Sequence, residues 1–342
     1  MKQYKSIDLF KFLGAFLIII LHTAPFSSYS KVLTFGLRNI ITPIAVPFFF
    51  VASGFLTCEK SDYSKEYMKR YALRLLQLYL IWSAIYFVFV VIKWLRNAFS
   101  YTYVLEYIKD FFFEGSYSTI WFLPALLSAT VFVYFLHKKF SYTQIFKFSL
   151  IIYVFTLFGS SYYGLTMKIP VLREIFKAYY SFFDSIKNGL LFGLPYVSMG
   201  AMISEQKDNI KFGSSSKKKQ MLTIAVLWAI MAIEELFVAF VGWNGRGVDT
   251  VFMLIPLSYF MFVFIINLEL PDNKAYTLFR KYSLLIFLSQ RIPLTVIELW
   301  LSDTVVATNS VIFSIVVIAS TFLISYVIIK LSEKKKLFKY LY

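Results

Sequence analysis

Three ionisable side chains share one stripe of an otherwise apolar stretch near the start of the chain: Asp8, Lys11 and His22. A helix turns about 100° per residue, so the eleven residues from Lys11 to His22 return to within roughly 20° of one direction, about 16 Å further along the axis. Asp8 falls on the same face. Ionisable groups inside an apolar helix are costly and mark a polar cavity or pathway. An imidazole titrates near neutral pH, which suits a general base that takes and returns a proton; the alternative for His22 is a packing residue bonded to a neighbouring carbonyl. Lys11 either holds a phosphate or carboxylate as a point charge, without the fork of an arginine, or snorkels beside Asp8. Arg70 and Arg74 stand one turn apart on a helix face. Glu234 and Glu235 lie inside a second apolar run and Arg291 in another, with Glu298 seven residues on. A buried ion pair among these four, structural or lining a cavity, is the expected arrangement, because each would be costly alone in lipid. The single cysteine, Cys58, excludes an intramolecular disulfide and a Cys-only metal cage, and two histidines argue against a His-rich one, so no metal is expected. His137, beside Lys138 and Lys139, reads as interfacial.

These groups are positioned by a membrane bundle. Of 342 residues 59% are hydrophobic, well above the roughly 45–50% of soluble domains, and the mean hydropathy is +0.67. Runs of about 17–25 apolar residues suit a bilayer-crossing helix. Ten occur, at 7–24, 41–58, 72–92, 118–137, 146–162, 188–204, 220–242, 248–267, 282–300 and 306–330. The fold class is therefore all-α: a polytopic transmembrane bundle of about ten spans, one domain over 1–342 with no appended soluble domain. Ten passes put both termini on one side. If that side is the cytoplasm, cytoplasmic segments hold 22 Lys and Arg and the opposite loops 10, the bias of the positive-inside rule. The net charge of +16 has the same explanation, and no nucleic-acid partner is expected. The first run lacks a small-x-small cleavage site and reads as a retained span. The Ser214–Lys219 loop and the Lys-rich tail read as topology signals beside anionic lipid.

Two outer loops, 93–117 and 163–187, are rich in Tyr, Phe and mixed charge, as a glycan-facing or interfacial surface would be. Trp121 begins a span at the outer interface, where Trp serves as an anchor or as an acceptor-binding surface. Ser53-Gly54 reads as a close helix-packing site. Asn244-Gly245-Arg246-Gly247-Val248-Asp249 reads as a tight outer turn with its Arg and Asp solvated.

The N-terminal stripe resembles the start of acyltransferase family 3, the multi-span membrane O-acyltransferases of bacterial envelopes. Asp8 and His22 match that family's first span, and Lys11 stands where it usually has Arg. Further matches follow in order. Val46-Pro47-Phe48-Phe49-Phe50-Val51-Ala52-Ser53-Gly54-Phe55 resembles the second span. Tyr67-Met68-Lys69-Arg70-Tyr71-Ala72-Leu73-Arg74 resembles the basic segment entering the third. Trp121-Phe122-Leu123-Pro124-Ala125-Leu126-Leu127 resembles the fourth, and Ser283-Leu284-Leu285-Ile286-Phe287-Leu288 a late one. The late motif often ends in His; here Ser289-Gln290 follow. Asn188-Gly189-Leu190-Leu191-Phe192-Gly193 and the second-span motif also resemble the membrane half of vancomycin-resistance serine racemases, which is associated with amino-acid uptake.

The resemblance implies a multi-pass protein of the bacterial plasma membrane that moves an acetyl or short acyl group from cytoplasmic acyl-coenzyme A to a hydroxyl of an envelope or capsular polysaccharide. In that reading His22, with Asp8, is catalytic. Lys11, Arg70 and Arg74 bind the phosphates of acetyl-coenzyme A, and Trp121, Glu234, Glu235 and Arg291 face the glycan acceptor. The rival readings are a small-molecule transporter and a non-catalytic scaffold.

Overall fold

A helix in hydrocarbon must satisfy its own backbone, so apolar runs of this length fold as helices before they pack. The structure is a computed structural model that describes residues 4–61, 63–243, 245–247 and 250–342. Lys2, and Asn244, Val248 and Asp249 of the outer turn, lie outside the described residues. The described residues are mostly helical, with no strand among them. In chain order the helices are α1 (Lys5–Thr23), α2 (Lys31–Phe35), α3 (Ala45–Ser61), α4 (Lys65–Arg96), α5 (Tyr101–Phe113), α6 (Phe122–His137), α7 (Tyr142–Gly159) and α8 (Tyr163–Thr166). They continue as α9 (Pro170–Tyr180), α10 (Leu194–Gln206), α11 (Lys217–Phe240), α12 (Leu254–Ile266), α13 (Ala275–Ser289), α14 (Arg291–Trp300), α15 (Val305–Thr308) and α16 (Ser310–Lys334).

Among the described residues, seven helical runs are long and apolar enough to cross a membrane: Lys5–Thr23, Lys31–Lys60, Lys65–Arg96, Tyr142–Gly159, Lys217–Phe240, Ala275–Trp300 and Ser310–Lys334. Phe122–His137 and Leu254–Ile266 are shorter apolar helices, and the expected segment 188–204 forms a wide turn, Gly189–Gly193, running into α10. The second run is longer than its sequence suggests. A wide turn at Gly36–Ile41 and a tight one at Thr42–Ile44 carry the chain through Pro43 into α3 without a break. The two loops 93–117 and 163–187 are not bare: they hold the amphipathic helices α5 and α9.

Polar caps set the ends. Ser141 and Gln144 form a reciprocal capping box on α7, and Asn309 caps α16. Two glycines let α3 and α10 touch. A Cβ on Gly54 would meet the Val197 carbonyl oxygen at 2.0 Å, and one on Gly200 the Val51 oxygen at 2.1 Å, the small-residue packing read from Ser53-Gly54. α1 and α13 run parallel, with Phe12 stacked on Phe279 at 4.6 Å and close to Tyr282. α3 runs antiparallel to α1, since Tyr4 meets Phe55 and Phe10 meets Phe48. Outward faces stay apolar, as on Leu73, Leu80 and Val88 of α4 and Leu222, Ile233 and Phe237 of α11, because their solvent is lipid rather than water.

Candidate functional site: a cationic cavity under an aromatic layer

Lys11, Arg74 and Arg280 line one cavity of about 240 Å³ between α1, α3, α4, α6 and α13. The helices place its two ends differently. On α13, Arg280 and Phe287 are seven residues apart, about 10 Å along the axis. On α3, which runs the other way, Ser53 and Phe49 are four apart, about 6 Å. The cations and the hydroxyls of Ser53 and Tyr71 therefore gather at one end. Phe49, Phe122 and Phe287 close the other. Their rings pack edge to face or tilted, with centroids 5.1–6.1 Å apart. Asp8 is buried and, with Lys60 and Arg280, supplies the nearby charge acting on Lys11. A phosphate at this end would meet three cations, with one carboxylate, Asp8, beside Lys11.

The guanidinium of Arg74 also donates to the carbonyls of Tyr342 and Lys339 and to Gln77 Oε1. The Trp82 indole donates to the Leu341 carbonyl at 3.1 Å. The C-terminal turn thus packs on α4 along Arg74 and Trp82. Arg70, one turn earlier, is exposed and does not line the cavity. Its neighbour Tyr71 faces the cavity instead, and Arg280 supplies a second arginine from a different helix. Sequence reasoning missed Arg280. The signal present was its spacing, three residues before Ser283 and seven before Phe287, on the motif already singled out.

His22 is half-buried and lies beyond the aromatic layer, outside the cavity lining. The parallel register that stacks Phe12 on Phe279 brings His22 level with Ser289 and Gln290, where α13 ends and α14 begins. Gln290 is fully buried. Its Nε2 donates to the Phe287 carbonyl at 3.0 Å, while its Oε1 has no hydrogen-bond partner among the described residues. The Asp8–Lys11–His22 stripe holds as a helix face, but Lys11 lines the cationic cavity and His22 does not.

Trp121 lines a second cavity, of about 490 Å³, at the opposite end of the bundle. Tyr117, Trp94, Asp110, Glu114 and Asp184 line it as well. Asp110, Glu114 and Asp184 bring carboxylate oxygens within 4.8 Å of one another. Lys109 already binds two of them, at 2.7 Å to Asp184 and 3.4 Å to Asp110. Burial pushes both Asp110 and Glu114 above the usual carboxylate range. This acidic, aromatic wall, carried by α5 and the loop before Asn188, was not visible as a cluster in the sequence.

The four remaining charges separate. Glu234 accepts the backbone N–H groups of Phe252 and Met253 at 2.7 and 2.8 Å and the Tyr162 hydroxyl at 2.6 Å, and so caps the start of α12. Glu235 is buried one position on. Arg291 pairs with Glu298 at 3.4 Å, a partner one helix face along α14 rather than on α11. Arg246 is exposed, as the turn suggested, and its guanidinium also lies 3.7 Å from the Tyr180 ring centre. His137 stacks on Tyr142 with ring centres 3.8 Å apart.

A polytopic helical membrane protein with a cationic cavity, an aromatic layer and an imidazole beyond it is the class that fold and site define. The chain belongs to the acyltransferase 3 family, whose acyltransferase domain matches residues 4–330. It is similar to two proteins of Enterococcus faecalis named amino-acid racemase. One is 29% identical over 67% of this chain and 31% of its own length, the other 22% identical over 98% and 47%. A serine/alanine racemase of Enterococcus gallinarum is 21% identical over 77% of this chain and 37% of its own. The chain spans less than half the length of these relatives. No solved structure matches it.

Proposed function

We propose that this chain is a ten-pass plasma-membrane O-acyltransferase, with both termini cytoplasmic, that carries an acetyl or short acyl group from acyl-coenzyme A to a hydroxyl of a cell-envelope polysaccharide. The observation that carries it is the convergence of Lys11, Arg74 and Arg280 on one cavity whose far end is apolar. That polarity matches a donor with phosphates at one end and a thioester at the other. The cations hold the phosphates. His22 takes the proton of the acceptor hydroxyl as its oxygen attacks the thioester carbon. The C–O bond forms, the C–S bond breaks, and the proton passes to the departing thiolate to give free coenzyme A. The acceptor enters from the Trp121 side, where aromatic faces and carboxylates suit the faces and hydroxyls of a sugar ring.

Envelope polysaccharide from a deletion strain, complemented with wild type or with His22→Ala at matched membrane expression, tests this by the O-acetyl signal in proton NMR. Restoration by wild type alone supports the reading; no acetyl difference between deletion and wild type overturns it. A second reading, transport of an amino acid, draws on the racemase-named relatives and on the opposite-end cavity, whose carboxylates and Lys187 complement a zwitterion. Uptake of labelled serine by the complemented strain decides between the two.

A further inference from the structure

The aromatic layer stands between the two compartments that the proposed reaction must join. Phe49, Phe122 and Phe287 each line the cationic cavity, and all three are less than a tenth exposed. Phe122 also packs on Phe50, with centres 4.7 Å apart, and Phe50 on Trp121 at 6.4 Å. Trp121 already faces the opposite cavity. One chain step, from Trp121 to Phe122, thus crosses from one compartment to the other. Along α1 the layer falls between Lys11 and His22, because Gly14 is the residue against Phe49. A Cβ at Gly14 would sit 3.3 Å from Phe49 Cε2. The absence of a side chain there leaves that ring room to move.

We propose that Phe49, Phe122 and Phe287 are the specificity-determining residues for acyl length: their rings part to pass a short acyl thioester from the cationic cavity toward His22 and hold back longer chains. The inference rests on the acyl-coenzyme A reading above. It adds what that reading does not contain, an identified filter with a direction of change for each residue. Truncating a ring widens the passage. Adding a methyl at Gly14 presses the Phe49 ring by a few tenths of an ångström and narrows it. In a close-fitting apolar passage one methylene is worth about 10–200-fold in selection.

The test uses the full chain in lipid nanodiscs. Unlabelled coenzyme A, acetyl-, butyryl- and hexanoyl-coenzyme A compete against radiolabelled coenzyme A for wild type, Phe49→Ala, Phe122→Ala, Phe287→Leu and Gly14→Ala. Wild type is expected to bind hexanoyl-coenzyme A at least about 10-fold more weakly than the acetyl form. Phe49→Ala and Phe122→Ala shrink that ratio by about 10-fold or more, and Gly14→Ala enlarges it. Each acyl preference is taken as a ratio to free coenzyme A within one variant, and folding is read separately from the monodisperse peak on size-exclusion chromatography. A variant that loses it is misfolded, and the outcome is then read from Phe287→Leu and Gly14→Ala, which must move in opposite directions. If coenzyme A binds but wild type ignores chain length, or the variants leave its preference unchanged, the filter is wrong while the donor reading stands. If coenzyme A does not bind at all, both fall.

Discussion

Gly200→Ala should damage this protein far more than one methyl group suggests. A Cβ at Gly200 would lie 2.1 Å from the Val51 carbonyl oxygen and 2.7 Å from the Phe55 nitrogen. Ordinary carbon–oxygen contacts are about 3.3 Å or longer, so α10 and α3 must part by about 1.2 Å. The opposing atoms are backbone, which cannot swing aside as a side chain can. Overpacking of this kind costs about 1–3 kcal/mol and sometimes more. Gly54→Ala opposes the Val197 oxygen from the other side at 2.0 Å and should cost a similar amount. The double variant should cost less than the two single changes added, because one separation of the helices relieves both clashes. Gly36→Ala is the control, since nothing lies within 4 Å of its Cβ and its φ of −56° is helical; it should be neutral or slightly stabilising. Thermal unfolding of the purified protein, followed by loss of the monodisperse peak on size-exclusion chromatography, reads all four. Melting of Gly54→Ala and Gly200→Ala at the Gly36→Ala temperature would refute the close-packing argument.

Arg280→Gln should weaken coenzyme A binding by about 10–150-fold, the worth of one charge-assisted contact of about 1.5–3 kcal/mol; Arg70→Gln should change it little, and the reverse order would displace the phosphate end from this cavity. Glu234→Gln should lower stability by about 1.5–3 kcal/mol, because an amide cannot accept from two backbone N–H groups and the Tyr162 hydroxyl together; an unchanged melting temperature would show that the α12 cap is not stabilising. Burial raises the Glu114 carboxyl, so its neutral form is favoured in the folded state, and its stabilisation is full below the ordinary carboxylate range and lost as pH rises through the raised value. Glu114→Gln should therefore raise the melting temperature near pH 7 and lose that advantage near pH 4, and an advantage equal at both pH values would contradict the sign.

Much of the bundle was legible from composition and period, because a bilayer demands long apolar helices and leaves few alternatives. The sequence by itself determined that the first helix carries Asp8, Lys11 and His22 on one stripe, since that follows from the turn angle alone. It also marked Ser53-Gly54 as a packing site, because only a small residue lets two helix backbones meet. It did not determine which charges meet. Arg70 and Arg74 share a helix face, yet Arg70 is exposed and Arg74 lines the cavity, because what lies opposite a face depends on how the neighbouring helices pack. Arg280 joins Lys11 only because α1 and α13 pack in parallel. Glu234 turns to the α12 backbone and Arg291 to Glu298, choices made by local distances between elements far apart in the chain. The aromatic layer is the clearest case. Phe49, Phe122 and Phe287 are ordinary apolar residues on three separate helices, and only their meeting at one depth turns them into a wall between Lys11 and His22.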